Sequence, residues 1–216
     1  MEWASVTLSA CTIDAYTSAL ASAEPTPGGG SASALVGALA AALASMVARL
    51  TAASPKFAAL AERMNAIAAE AGKLTNELLA AIDADVEAFN RVSTAYKLPK
   101  DSDERKHERS AAIQRALVGA TDAPMHVVHL CLRVARLAVE LVEAGNPNAI
   151  SDAGCCALFA QAAARGCALN IRINAKGLKD SARAHAYQKN LDDRLAQIGI
   201  LVEVAVARAE RATERT

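Results

Sequence analysis

Residues 57–95, FAALAERMNAIAAEAGKLTNELLAAIDADVEAFNRVSTA, carry the pattern that decides the fold. Steps of seven from Phe57 and from Leu60 give two interleaved series with the three–four spacing of a helix packing seam. The first series is Phe57, Met64, Ala71, Leu78, Asp85 and Val92, and the second is Leu60, Ile67, Leu74, Ala81, Ala88 and Ala95. Of these twelve positions, eleven are apolar and one is a carboxylate. The pattern predicts a long helix with a single acidic residue in its packing seam.

The remainder of the chain has the same helical periodicity. Hydrophobic residues make up 53% of the 216 residues and aromatic residues only 3%, which favours packed helices over strands. We predict one all-α domain over residues 1–216, a bundle of about six helices joined by short turns. The predicted helices cover about 11–23, 31–51 with Ser31 as N-cap, 55–96 opening at Pro55, 102–145 interrupted at Pro124, 149–174 and 180–212.

Charge and hydropathy exclude several partner classes. Lys plus Arg and Asp plus Glu both total 23, so no basic surface for nucleic acid is expected. Residues 32–48 lack any charge, but they are short of the ~20 residues of a membrane span and consist mostly of small side chains. We predict a buried helix there, no membrane partner, no signal peptide and a cytoplasmic location.

Asp85 is the first candidate functional residue. A buried, unpartnered carboxylate costs several kcal/mol if it stays charged, so Asp85 needs a partner, a raised pKa or a cavity. Alternatively, the seam turns after Leu78 through Ile82, Val86 and Phe89, which would leave Asp85 at its edge. The pattern leaves both possibilities open.

Two polar turns lead into helices, PTPGGGS at 25–31 and GNPNAISDAG at 145–154. Helix N-termini offer free N–H groups and partial positive charge, and glycine lets a ligand approach the backbone. Taken by itself, the glycine triplet is better explained by a loop that only needs positive φ. The second turn crowds four polar residues into seven positions, and capping by Asn148 or Ser151 explains one or two of them. These four are Asn146, Asn148, Ser151 and Asp152.

His126 and His129 have a spacing that would allow metal binding on a helix. No cysteine or carboxylate completes a ligand set within a turn, so packed neutral histidines are the better interpretation. We predict no metal site.

Three stretches together resemble the cyclodeaminase/cyclohydrolase family of folate enzymes. In chain order they are PTPGGGSASALVGALAAALASMVARLT, DVEAFNRVSTAYKLPKD and GNPNAISDAGCCALFAQAAARGCALNIRINAKGL. The resemblance spans nearly the whole chain. It implies an all-helical intertwined homodimer that acts on the one-carbon unit bridging N5 and N10 of tetrahydrofolate, with the folate as substrate and no separate cofactor.

The resemblance implies hydrolysis of 5,10-methenyltetrahydrofolate to 10-formyltetrahydrofolate. No segment reads as a formiminotransferase domain, which favours this cyclohydrolase reaction. One alternative is the cyclodeaminase reaction, which converts 5-formimino-tetrahydrofolate to 5,10-methenyltetrahydrofolate and ammonia. A second alternative is a helical dimer that binds a folate without turning it over.

The same resemblance assigns candidate site residues. Asp85 is the aspartate of the family motif D-x-x-A-F, here DVEAF, and is expected to attract the cationic methenyl bridge and to take a proton from water. Asp152, with Asn146 and Asn148, is expected to hydrogen-bond the pterin ring. Asp85 and Asp152 could exchange these roles. The other expected substrate-binding residues are Pro27, Gly28, Gly29, Gly30, Ser31, Phe89 and Ser151.

Two departures from the family pattern affect the expected tail binding and charge. Family members commonly have a lysine-rich run after the second helix, whereas residues 50–57 read LTAASPKF. Arg49 and Lys56 are therefore the residues left to bind an anionic glutamate tail. Asn90 stands where an acidic residue is frequent after A-F, which removes one charge near Asp85.

Overall fold

A computed structural model describes residues 7–214, and it is all-α, as predicted. Its six α-helices are α1 Ile13–Leu20, α2 Gly29–Ala52, α3 Ala61–Lys97, α4 Asp103–Ala144, α5 Ile150–Lys176 and α6 Ser181–Thr213. Within the same residues, three short 3-10 turns cover Leu8–Ala10, Pro55–Leu60 and Pro147–Ala149. Residues 7–214 contain no strand.

Helix α2 is the centre of the bundle and packs against α3, α4 and α5. One side of it is a continuous row of small buried residues, which lets neighbouring helices approach closely. A Cβ at Gly37 would lie 3.0 Å from a Leu78 methyl carbon and 3.3 Å from Cys131 Sγ. In residues 7–214, α2 is the one helix long and apolar enough to cross a membrane, and more than half of its most apolar segment is buried inside the bundle. That degree of burial is typical of a core helix.

Helices α2 and α5 run antiparallel. Asn170, near the end of α5, lies beside Gly29 at the start of α2, whereas Asn146, just before α5, hydrogen-bonds Thr51 at the end of α2. We call these two ends the amino pole (residues 27–31 and what packs on them) and the carboxy pole (residues 49–56 and what packs on them). Since 20 residues separate Ser31 from Thr51, the poles are about 30 Å apart.

The predicted seam of α3 is largely confirmed. Its buried members are Met64, Ile67, Ala71, Leu74, Leu78, Ala81, Ala88 and Ala95. Ile82 is also buried, but Phe89 is 42% exposed, so the seam does not turn as the alternative required. Asp85 lies half-buried between Ala81 and Ala88. The predicted single helix from Pro55 is wrong in one detail, because Phe57 has non-helical φ −114° and ψ 22° and a 3-10 turn precedes α3.

The predicted interruption at Pro124 is wrong. Helix α4 continues through it. Proline has no N–H and so leaves the carbonyl four residues earlier, on Ala120, without its helical partner. The side chain of Asn174 on α5 donates to that Ala120 oxygen at 2.6 Å. A neighbouring helix thus supplies the missing hydrogen bond.

Candidate functional site at the amino pole of α2

Asp85 caps helix α2 from the neighbouring helix α3. The Ser31 backbone N–H donates to Asp85 Oδ2 at 2.9 Å. Ser31 is therefore not the N-cap that we predicted; Gly28 occupies that position and makes no side-chain capping bond, and Ser31 lies in the first turn. The carboxylate satisfies one of the free N–H groups and lies in the favourable field of the helix N-terminus.

Gly30 is required by the closeness of this contact. A Cβ at Gly30 would lie 2.2 Å from Asp85 Oδ1 and 2.6 Å from its Cγ, which are impossible separations. The alternative that the triplet serves positive φ is wrong, because no glycine in residues 7–214 has positive φ. The glycine at position 30 thus makes room for the carboxylate against the turn.

Within residues 7–214, Asp85 has no cationic partner. None of the ion pairs in residues 7–214 involves it. Burial raises the pKa of the Asp85 carboxyl, and the Ser31 N–H opposes that rise. The site therefore holds a partly desolvated carboxylate whose charge is balanced by a helix terminus alone.

Tyr16 is a residue of this site that no sequence motif indicated. Its side chain is 4% exposed, and its hydroxyl lies 2.9 Å from Ser31 Oγ, itself fully buried. Burial raises the pKa of Tyr16 most, and the Asp85 charge raises it further. Tyr16 lies on α1, 69 residues before Asp85, and no spacing in the sequence connects the two.

Helix α5 forms the wall behind the turn. Ser33 Oγ donates to the Gly29 carbonyl at 2.7 Å, and a Cβ at Gly166 would lie 2.2 Å from that hydroxyl. Beyond Gly166, a groove of about 670 Å³ runs between α5 and α6. Arg165 and Arg172 line the groove, and neither was predicted as a site residue from the sequence.

The amino pole brings together seven of the predicted site residues: Pro27, Gly28, Gly29, Gly30, Ser31, Asp85 and Phe89. Phe89 lies one helical turn after Asp85 on α3 and is 42% exposed. Gly29 is exposed as well. An apolar ring and an open backbone turn thus flank the carboxylate.

The other predicted residues belong to the carboxy pole: Arg49, Lys56, Asn146, Asn148, Ser151 and Asp152. Thr51 Oγ1 accepts from the Asn146 N–H at 2.9 Å, and Asn146 Oδ1 accepts from the Asn148 N–H at 3.0 Å. Asn146 therefore caps its own turn, and the prediction that Asn148 or Ser151 is the cap is wrong, because α5 begins after Ala149 without a side-chain capping bond. Asp152 is half-buried in the first turn of α5, and Arg49 and Lys56 are exposed. Within one chain, the two polar turns do not enclose one ligand.

The histidines of α4 do not form a metal site. No group of three or more His, Cys, Asp or Glu side chains in residues 7–214 is placed to hold a metal ion. His126 is exposed, and His129 is paired at 3.4 Å with Asn190 Oδ1 on α6. Burial lowers the pKa of His129, in keeping with a neutral packed ring.

Comparison with known proteins identifies one family of folate enzymes. Residues 12–193 match the family Formiminotransferase-cyclodeaminase. The methenyltetrahydrofolate cyclohydrolase of Methylorubrum extorquens is 45% identical over 192 residues, which cover 89% of this chain and 92% of that protein. The formimidoyltransferase-cyclodeaminase of Rattus norvegicus is 30% identical over 188 residues, which cover 85% of this chain and 35% of that protein.

A crystal structure from Thermotoga maritima, of a formiminotetrahydrofolate cyclodeaminase, has the same fold. The TM-score is 0.79 at 28% identity, with 95% of this chain and 96% of that chain covered. The family match, the length of the shared sequence and the shared fold agree with the motifs that surround Asp85. This chain belongs to the formiminotransferase-cyclodeaminase family.

Proposed function

We propose that this protein hydrolyses 5,10-methenyltetrahydrofolate to 10-formyltetrahydrofolate. The observation that carries the proposal is Asp85, a partly desolvated carboxylate that has no cationic partner in the described part of the chain and faces a glycine turn. A cationic substrate would complete such a site, and the methenyl bridge carries a delocalised positive charge. The M. extorquens cyclohydrolase, matched over 92% of its length, supports this choice.

In the proposed reaction Asp85 acts as electrostatic partner and general base. A water oxygen adds to the bridging carbon, and one water proton passes to Asp85. The hydroxyl adduct then collapses: its C–N5 bond breaks, the second water proton moves to N5, and the carbon becomes the N10 formyl group. Asp85 returns its proton to solvent. Its raised pKa makes it a better base than an ordinary aspartate, although the bound cation lowers that pKa again.

The cyclodeaminase reaction is the second candidate. The T. maritima structure supports it, because a formiminotetrahydrofolate cyclodeaminase of similar length has the same fold. Asp85 could take part there as well, by stabilising the same cationic product. We place it second because the M. extorquens protein has the higher identity.

We also propose a homodimer in which the poles of two chains meet. Apolar side chains are exposed along the outer face of α2 and the adjoining α5: Leu39, Met46, Leu50, Leu158, Phe159, Leu169 and Ile173. A row of this size points to an interface. A two-fold axis across the middle of α2 would set two copies of it antiparallel, so that the amino pole of one chain lies beside the carboxy pole of its partner. Each site would then contain Asp85 of one chain and Asp152 of the other.

The remaining expectations fit this proposal. The chain would act as one domain in the cytoplasm, with a folate as its small-molecule partner and with neither nucleic acid nor membrane required. The proposed hydrolysis needs only water and the folate, so no cofactor or metal is part of it.

Loss of the near-ultraviolet absorbance of 5,10-methenyltetrahydrofolate tests the activity, after subtraction of spontaneous hydrolysis. Asp85→Asn keeps the side-chain shape and an acceptor for Ser31, and turnover should fall by about 10²-fold or more while the fold is retained. If the unmodified protein shows no turnover, 5-formimino-tetrahydrofolate is the next substrate to try. Binding of both folates without turnover would support the non-catalytic dimer instead.

Mixing two inactive variants tests the shared site. Refolded together, Asp85→Asn and Asp152→Asn chains form mixed dimers with one wholly unmodified site, so activity should recover to about a quarter of the original. If each site belonged to a single chain, or if the protein were a monomer, the mixture would stay inactive. Asp85→Asn refolded alone under the same conditions is the matched control.

A further inference from the structure

Tyr16 is a buried titratable group that the proposed mechanism leaves unused. Its hydroxyl lies 2.9 Å from Ser31 Oγ, and the backbone N–H of the same Ser31 donates to Asp85 Oδ2 at 2.9 Å. Both side chains are almost fully buried, at 4% exposure for Tyr16 and 0% for Ser31. One residue of the helix terminus thus contacts both the phenol and the carboxylate.

Asp83 fixes the segment that carries Tyr16. Its Oδ1 accepts from the Leu8 N–H at 2.8 Å, and its Oδ2 accepts from the Ser9 hydroxyl at 2.5 Å. This contact fastens the turn Leu8–Ala10 to α3, two residues from Asp85. Helix α1 begins immediately afterwards and carries Tyr16 onto Ser31. Two neighbouring aspartates of α3 therefore have distinct tasks: Asp83 holds the amino-terminal segment, and Asp85 faces the turn.

The hydrogens of the two hydroxyls do not all have acceptors. Tyr16 and Ser31 have two hydroxyl hydrogens and share one hydrogen bond, so one hydrogen is left to donate. In the described part of the chain neither hydroxyl makes a second hydrogen bond. Asp85 is the charged group that acts most strongly on Tyr16. The spare hydrogen is therefore available near the Asp85 carboxylate, which accepts one hydrogen bond in the described chain, from the Ser31 backbone N–H.

We propose that Tyr16 and Ser31 form a hydroxyl pair that positions Asp85 and supplies it with a second donor during the reaction. Tyr16, the more acidic hydroxyl, donates to Ser31 Oγ, and the Ser31 hydrogen serves the carboxylate. Both are positioning residues that act through Asp85. The role rests on the proposed function, and a Tyr16 hydroxyl has no evident packing task, since a phenylalanine would fill the same space.

Tyr16→Phe removes the hydroxyl and keeps the ring. We expect kcat to fall about tenfold with KM unchanged. The acid limb of the kcat/KM profile should move to higher pH, because the charged carboxylate loses a donor. The other groups that face Asp85 or Tyr16 stay in place: the Ser31 N–H from α2, Asp83 on α3, Cys167 from α5, and Cys11 before α1. Tyr187→Phe, which loses the 2.5 Å bond to Asp122 between α6 and α4, is the matched control and should change neither kcat nor the profile.

Ser31→Ala, which keeps the backbone N–H, tests whether the hydroxyls act as a pair. The double variant Tyr16→Phe/Ser31→Ala should lose about the same tenfold as either single change, because each removes the same donor. Effects that multiply to about a hundredfold would mean independent roles and would overturn the pair.

The Ser31 amide signal gives a readout that needs no turnover. Its N–H donates to Asp85, so its NMR shift should follow the ionisation of that carboxylate, with a midpoint at higher pH in Tyr16→Phe. An unchanged midpoint together with an unchanged rate profile would overturn the proposal. If the unmodified protein fails to hydrolyse the methenyl substrate, the proposed function fails but this titration still tests the pair. Should Tyr16→Phe not fold, Ser31→Ala carries the same titration through the backbone amide of position 31, which that change keeps and which donates to Asp85.

Discussion

The two poles of α2 present similar polar turns and very different environments. At the amino pole a carboxylate from another helix is pressed against Gly30 and bonded to Ser31, with a buried Tyr16 behind it. At the carboxy pole Asn146 caps its own turn and donates its N–H to Thr51, and Asp152 makes no comparable buried contact in the described chain. Polar composition is alike at both ends, so desolvation and steric constraint are what distinguish the amino pole from the carboxy pole.

Gly30→Ala should produce the largest effect of any single change at the amino pole. The new Cβ would overlap the Asp85 carboxylate, so either Asp85 leaves the turn or α2 moves. We expect activity to be lost and the free energy of unfolding to fall by about 1–3 kcal/mol, measured by urea titration. Gly72→Ala is the control, because nothing lies within 4 Å of its Cβ position on α3. That change should stabilise the protein by up to ~1 kcal/mol. Equal effects at the two glycines would contradict the constraint at position 30.

Thr51→Val tests the hydrogen bonding of the carboxy pole. Its buried hydroxyl accepts the Asn146 N–H, and valine would leave that N–H without its partner. We expect a loss of about 1–3 kcal/mol in the free energy of unfolding. Thr75→Val is matched, because both threonines donate to the carbonyl four residues earlier but Thr75 accepts no distant N–H from residues 7–214. Thr75→Val should therefore cost much less, and similar losses would show that the Asn146 contact contributes little.

Most residues of the amino pole could be predicted from the sequence, but the contacts that join them between helices could not. The seam of α3 singled out Asp85, because periodicity reports which side of a helix is buried. The N-cap was assigned to Ser31 because a local rule cannot see a carboxylate 54 residues away. The contact of Tyr16 with Ser31 was not predicted for the same reason. Nor was the hydrogen bond that Asn174 donates to Ala120, which compensates for the N–H that Pro124 lacks. Contacts between helices depend on tertiary packing, and spacing along one helix does not encode them.

The pH dependence of stability separates the poles without any substrate. Burial raises the pKa of Asp85 in the folded chain above its ordinary value of 3.8. At pH values between 3.8 and the raised pKa of folded Asp85, the folded state binds more protons than the unfolded state. The free energy of unfolding therefore falls as pH rises through this window. Asp85→Asn removes that decline. The variant should therefore gain stability relative to the unmodified protein as pH rises above 3.8, until the pKa of folded Asp85 is passed.

Urea titrations at a series of pH values measure this difference, with Asp152→Asn as the control at the carboxy pole. If the stability difference between Asp85→Asn and the unmodified protein does not change with pH, Asp85 is not desolvated in the folded chain.

Lys56→Gln should have the smallest effect, and it tests what the carboxy pole contributes to binding. Lys56 and Arg49 are exposed cations at this pole, about 30 Å from Asp85 in the same chain. If partner chains bring the poles together, Lys56 lies near the tail of a folate bound at the other chain's Asp85. The KM for a polyglutamylated substrate should then rise about threefold with kcat unchanged, because an exposed ion pair contributes little. The monoglutamate should be affected less, and raised salt should reduce the difference. Arg165→Gln provides the contrasting variant, since Arg165 lines the groove that starts at the amino pole of the same chain. A larger KM effect from Arg165 would place the tail in that groove and remove the carboxy pole from tail binding.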